Sequence, residues 1–260
     1  MDTIKGISLS TNELASVLAL CGYESMASDV IDSQHLLESE EEFNNFLKAN
    51  AASLKMKGFW NEDRSSLIEE GLESLITLLV HSKKKIRIIR GQKVTFIHFL
   101  DQNNLLLQKI AEGEHHLELT GIQDLKKVLD NFFGGGQISG CGISNLETLK
   151  LDEEIFNQLH QFTDEDVNSL LAENLPCSLK AFLEDFKVNS YEFDNASLME
   201  MNFKEDYLGI NQVFFYLNAG SYIWLLDYDK VEENELLLYQ MASEDFNALM
   251  FSTVKKYFKN

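Results

Sequence analysis

Metal-binding or catalytic work in this chain would fall to its six histidines, three cysteines and 42 acidic side chains. A metal needs ligands at a spacing that lets them converge. His115 and His116 are adjacent, so on a strand they point to opposite sides and cannot pinch one ion. His98 lies inside the apolar run "FIHFL" and reads as a packed residue. His81 ends a helical pattern, where a cation suits the macrodipole, and His35 and His160 have no spaced Cys or His companion. Cys21, Cys141 and Cys177 are odd in number and widely separated, which gives neither a metal spacing nor a disulfide framework and fits a reducing, cytoplasmic setting. The acidic runs "ESEEE" and "DKVEENE" lack the alternating oxygen ligands of a calcium loop. No H-E-x-x-H, C-x-x-C or G-x-S-x-G can be written anywhere. The expectation is no catalytic residue, no cofactor and no metal, hence no enzyme. An enzyme of unrecognised type would instead need a closed polar cleft with perturbed carboxylates or histidines.

One stretch still invites a phosphate. "FFGGGQISGCGISN", Phe132 to Asn145, holds five of the 14 glycines. A glycine loop that cradles phosphate follows a strand and opens a helix, so that the helix N-terminus faces the anion. These glycines follow the helical pattern "DLKKVLDNFF", and Gly135-x-x-x-x-Gly140 leads into Cys141 rather than Lys-Ser/Thr. Gly134 reads as a helix C-cap and the remainder as permissive backbone, a joint between two folded parts.

The elements on either side of that joint repeat. Before it, "STNELASVLALC", "SEEEFNNFLKANAASLKMKGFW" and "SLIEEGLESLITLLVHS" carry apolar residues at helical spacing, the first with Ser10 or Thr11 as N-cap and Glu13 placed for a capping box. The period then shortens through "KIRIIRG", "VTFIHFL", "NLLLQKIAEG" and "HLEL", a strand meander that ends in the helix "IQDLKKVLDNFF". After it come the helices "FTDEDVNSLLAEN" and "PCSLKAFLEDF", the strands "YEF", "SLMEMNF", "VFFYLNAG", "SYIWLLDYD" and "ELLLYQM", and a last helix "SEDFNALMFSTVKKYF". Laid from Val94 over Val213, the two meanders run without a gap to Leu117 and Leu119 over Leu236 and Leu238. The reading is a duplicated unit: residues 1–133, a glycine-rich linker 134–150, and residues 151–260, packed as one globular domain.

Charge limits the partners. With 22 basic residues against 42 acidic the net charge is -20, which repels nucleic-acid phosphate and anionic lipid. The basic run Lys83-Lys84-Lys85 with Arg87 and Arg90 is short and reads as a solvated strand entry. No run of about 18 apolar residues occurs, and "MDTIKGISLS" has no apolar core of a signal peptide. Neither nucleic-acid binding nor membrane insertion is expected, and the expected compartment is the cytoplasm.

Protein contact remains. In "SLMEMNF" one strand face carries Met199, Met201 and Phe203, while "YIWLL" brings Tyr222 and Trp224 in a run apolar on both faces. Either these five residues bind a partner, using methionine's adaptability, or they are core.

"LSTNELASVLALCGY", "ASLKMKGFWNED", "LESLITLLVHSKKKIRIIRG" and "LTGIQDLKKVLDNFF" together resemble the EspG-like chaperones of type VII (ESX) secretion, over residues 7–133. The resemblance lies in E-L-x-x-L on the first helix, S-L-x-x-K/R-G near a helix end, and an apolar helix breaking into a strand. It implies an α+β fold with quasi-two-fold symmetry about a central twisted antiparallel sheet flanked by helices. It also implies a cytoplasmic chaperone or adaptor, without cofactor, that binds a helical secreted protein (an LXG or WXG100-like substrate), for which Met199, Met201, Phe203, Tyr222 and Trp224 are the contact candidates unless they are core. The chain departs from the actinobacterial members in being far more acidic and poor in Ala, Arg and Pro. The alternative is an immunity protein neutralising a secreted toxin, for which strong acidity would suit a basic nuclease.

Overall fold

The computed structural model describes residues 6–33, 40–133, 148–202, 207–232 and 235–259. The first pass of the chain runs β1 (Ile7–Ser10), α1 (Thr11–Leu20), α2 (Glu24–Ser33), α3 (Glu40–Met56), α4 (Glu70–His81), β2 (Lys84–Arg90), β3 (Lys93–Phe99), β4 (Asn104–Ala111), β5 (Glu114–Gly121) and α5 (Leu125–Phe133). The second runs β6 (Leu149–Asp152), α6 (Glu153–Gln158), α7 (Asp164–Leu171), α8 (Cys177–Val188), β7 (Asp194–Asn202), β8 (Tyr207–Asn218), β9 (Tyr222–Glu232), β10 (Glu235–Ala242) and α9 (Ser243–Lys259). The strands make one sheet in the order β1-β5-β4-β3-β2-β7-β8-β9-β10-β6. In each pass the strand that opens it closes the meander antiparallel: Leu9 lies opposite His115 on β5, and Leu151 opposite Leu236 on β10. The expected α+β class with a large antiparallel sheet flanked by helices is what the chain adopts.

Backbone contacts gather Met1–Lys85, Val94–Thr120 and Glu200–Leu208 into one compact unit, and Ile86–Lys93, Gly121–Met199 and Gly209–Asn260 into a second. This division differs from a cut in the glycine stretch, whose residues 134–147, with the expected cap Gly134, lie outside the described residues. The reason is α5, which packs against α9 of the second unit.

In the first unit Leu14, Val17, Leu18, Leu54, Leu72 and Ile76 meet Leu9, Leu106 and Leu117 of the sheet in one buried cluster. The start of α1 is fixed by its own sequence: Ser10 Oγ accepts the Glu13 N–H, and the Glu13 carboxylate accepts the Ser10 N–H at 2.7 Å. The Glu13 side chain is buried and also takes Ser53 Oγ and Lys57 Nζ, both at 2.6 Å. Burial alone would raise its pKa, but these partners outweigh it and the net shift is downward. The α4 helix starts later than the periodicity of "SLIEEG" suggests. Leu67 turns left-handed at φ 60°, Ile68 bridges to Trp60, and Glu69 caps the helix through the N–H groups of Gly71 and Leu72.

In the second unit Phe182, Leu183 and Phe186 of α8 pack with Leu217, Trp224, Leu226 and Leu238 on one face of the sheet. Strand alternation sends Tyr216 to the opposite face, where the Phe133 ring stands edge-on to Tyr216 and Phe246 at 5.5 and 5.3 Å. "YEF" is not a strand: Ser190 and Tyr191 have φ of 59° and 63°, and the Tyr191 N–H returns to the Phe186 carbonyl. That left-handed turn ends α8 and brings Phe193 against Phe182 and Phe186.

Candidate functional site

Two of the expected contact residues converge on a carboxylate. Asp185, buried on α8, accepts the Tyr222 hydroxyl at 2.6 Å and the Trp224 indole N–H at 2.9 Å, both on the same oxygen. The Phe182 ring stands edge-on to Trp224 at 5.7 Å. Trp224 is 0% exposed and Tyr222 2%, so their polar atoms are spent inside the fold. Met199 is buried as well. Met201 is half-buried, and its sulfur lies 3.2 Å from Lys85 Nζ, which also sits 5.7 Å over the Phe96 ring. Burial lowers the Lys85 pKa. Phe203 lies outside the described residues. Sequence periodicity gave no sign of Asp185, because an acid in "FLEDF" looks like the wet side of a helix.

The buried histidines form a directional chain. Thr11 donates its hydroxyl hydrogen to the Gly113 carbonyl, so its oxygen accepts from His115 Nε2. His115 Nδ1 then accepts from the Gln108 amide at 3.0 Å, and Gln108 Oε1 accepts from His98 Nε2 at 3.3 Å. Both rings are neutral in this arrangement. Burial drives the His98 pKa down to about 3, with the Lys85 charge adding to it, and burial lowers that of His115. His98 Nδ1 finds no partner. The chain ends at the first residue of α1, where the Thr11 hydroxyl hydrogen is committed to the Gly113 carbonyl.

A second polar cluster ties a turn to a helix end. Asp194 accepts the Gly91 N–H at 3.1 Å and stands 3.7 Å from Arg90 Nε, while Arg90 donates to the Phe132 carbonyl at the end of α5. Burial raises the Asp194 pKa to about 6 against the pull of the Gly91 N–H and Arg90. Burial also raises that of Tyr216, helped by the Asp194 charge, and its hydroxyl is unpartnered. Among the described residues no three His, Cys, Asp or Glu are grouped to hold a metal. Chemically these clusters position backbone and side chains.

Open apolar surface occurs elsewhere. Three of the large hydrophobic residues exposed on the chain, Tyr207, Leu208 and Ile210, fall at the start of β8. From Ile210 a groove of about 550 Å³ runs past Gln212 and Phe214 to Leu225 and Tyr239, with Leu249 of α9 on its wall. Alternation puts Ile210, Gln212 and Phe214 on the Tyr216 side of the sheet. In the sequence the only signal is an i, i+2 run, Leu208, Ile210, Gln212 and Phe214, interrupted by a polar residue.

No protein-family model and no curated protein matches this sequence. Among solved structures, the chain is similar to the Mycobacterium tuberculosis type VII secretion system chaperone EspG5, solved in complex with the PE25–PPE41 dimer. The superposition covers 94% of each chain with a TM-score of 0.54 at 9% sequence identity. The likeness is one of fold. Among the described residues no helix is long and apolar enough to cross a membrane.

Proposed function

We propose that this chain is a non-catalytic chaperone or adaptor that binds a helical substrate of a type VII secretion system in the cytoplasm and keeps it soluble for export. The observation that supports this is the fold shared over 94% of both chains with EspG5, a chaperone whose complex holds a PE25–PPE41 dimer. The repeated element order supports a duplicated unit as its origin. Of the expected contact residues, Met201 keeps surface for a client of LXG or WXG100-like type. Met199, Tyr222 and Trp224 are buried and then serve the core of the sheet. Affinity capture from the native host, with mass spectrometry, tests the reading. Recovery of a helical secreted protein that is insoluble when expressed without this chain supports it. Recovery of a toxin's catalytic domain instead supports the immunity reading, which the net charge of -20 favours for a basic toxin. Binding to such a toxin would weaken steeply with salt, whereas an apolar client contact would barely respond.

A further inference from the structure

We propose that the groove beside α9 is a docking slot for one amphipathic helix whose flanks are basic. It deepens the partner-binding reading above, on which it rests, by giving the partner a place and a chemistry. The groove belongs wholly to the second unit, with Ile210, Phe214, Leu225, Tyr239 and Leu249 as its apolar lining and Gln212 as a polar contact. Ile210 is 54% exposed, a surface that folding within the chain leaves wet.

Three observations choose the occupant. First, β8 and β9 each have a neighbour on both sides, so no free strand edge is available and an added strand has nothing to pair with. Second, this face of the sheet is already helix-covered. The buried stripe Phe246, Met250 and Val254 sets α9 down, and Leu249, off that stripe, forms the groove wall. A helix laid alongside α9 at the usual 8–10 Å spacing would fill the slot. Third, charge selects the partner. The protein carries -20, with 42 acidic side chains against 22 basic. A second copy of this chain would bring the same charge against itself, so a helix with Lys or Arg beside its apolar stripe is the complementary ligand.

The test uses the full-length protein and two labelled synthetic peptides of about four helical turns, roughly 15 residues. One carries a leucine stripe flanked by lysine, the other the same stripe flanked by glutamate, and fluorescence anisotropy reads binding. The lysine peptide is expected to bind and the glutamate peptide not. Ile210→Glu is expected to weaken the lysine peptide by at least about tenfold, as removal of a central apolar anchor does. Ile210→Glu also makes the protein more acidic, so non-specific charge attraction predicts the opposite sign. Ile210→Ala, a milder change at an exposed site, is expected to fall between, and Val188→Glu on exposed α8 surface serves as the control. Unchanged or tighter binding to Ile210→Glu, equal binding of both peptides, or no binding at all overturns the proposal. Failure here is separable from failure of the chaperone reading: a secreted client captured equally by wild type and Ile210→Glu removes the slot and keeps the chaperone.

Discussion

Removing the carboxylate of Asp185 should cost more than an average core substitution. Asp185→Ala removes the acceptor of two buried donors, the Tyr222 hydroxyl and the Trp224 indole N–H, which sit 2.6 and 2.9 Å from one oxygen. Each orphaned donor costs roughly 1–3 kcal/mol, so the pair amounts to about 2–6 kcal/mol. Against a total stability of about 5–15 kcal/mol that is a large fraction. Because Trp60 lies in the first unit and Trp224 in the second, a Trp60→Phe background lets urea unfolding be followed by emission from the second unit alone. With a slope of about 2–3 kcal/mol per molar, the midpoint should fall by roughly 0.7–3 M. The decisive comparison adds Tyr222→Phe to Asp185→Ala. If unsatisfied donors are the cause, the double variant recovers part of the loss, since one orphan is gone. A midpoint that does not move in the single variant, or falls further in the double, refutes the account.

Glu13→Ala removes a capping carboxylate and the buried partner of Lys57, and is expected to cost about 2–4 kcal/mol in thermal or urea unfolding of the first unit, with Lys57 able to reach water. His98, held neutral with its pKa near 3, makes the first unit less stable as pH falls below 6.5, because the unfolded chain then binds a proton that the folded one refuses. The loss is roughly 4–5 kcal/mol by pH 3, and His98→Leu should flatten it when Trp60 emission is followed in a Trp224→Phe background. Asp194 has the opposite sign. Its folded pKa of about 6 exceeds the ordinary 3.8, so its protonated form stabilises the fold at low pH and about 3 kcal/mol is lost as pH rises from 4 to 6. Asp194→Asn should remove that slope, read by Trp224, and an unchanged slope would assign the shift elsewhere.

Local signals in the sequence carried much of the fold. Helix periodicity placed the apolar stripes of α1 and α4, and the Ser10–Glu13 box appears where the residues put it. The four-residue strands β1 and β6 have no signal of their own. They are strands because Leu9 meets His115 and Leu151 meets Leu236, pairings separated by some hundred residues in one case and close to that in the other. The gapless overlay sets Leu106 over Leu225, yet in β9 it is Trp224 and Leu226 that pack with α8, as Leu106 in β4 packs with α1 and α4. Alternation therefore turns Leu225 to the other side, and a register shift between Glu235 and Leu237 interrupts the β9–β10 ladder that the overlay treats as regular. The site was less legible still. Tyr222, Trp224 and Met199 are large and apolar, and whether such residues face a partner or a core depends on where α8 lands. Ile210 is left 54% exposed at the start of β8, and nothing in its local sequence marks it as such.

The last turn of α5 has a consequence for how this protein is made. Phe133 closes the helix with 0% of its surface exposed, lodged against Phe246 and Tyr216, while the preceding Phe132 carbonyl is held by Arg90. Its aromatic neighbours are translated more than eighty residues later. On the ribosome, α5 must therefore wait with an apolar stripe bare until the C-terminal segment emerges. Cutting the polypeptide in the glycines would yield an N-terminal fragment that is sticky rather than an autonomous half.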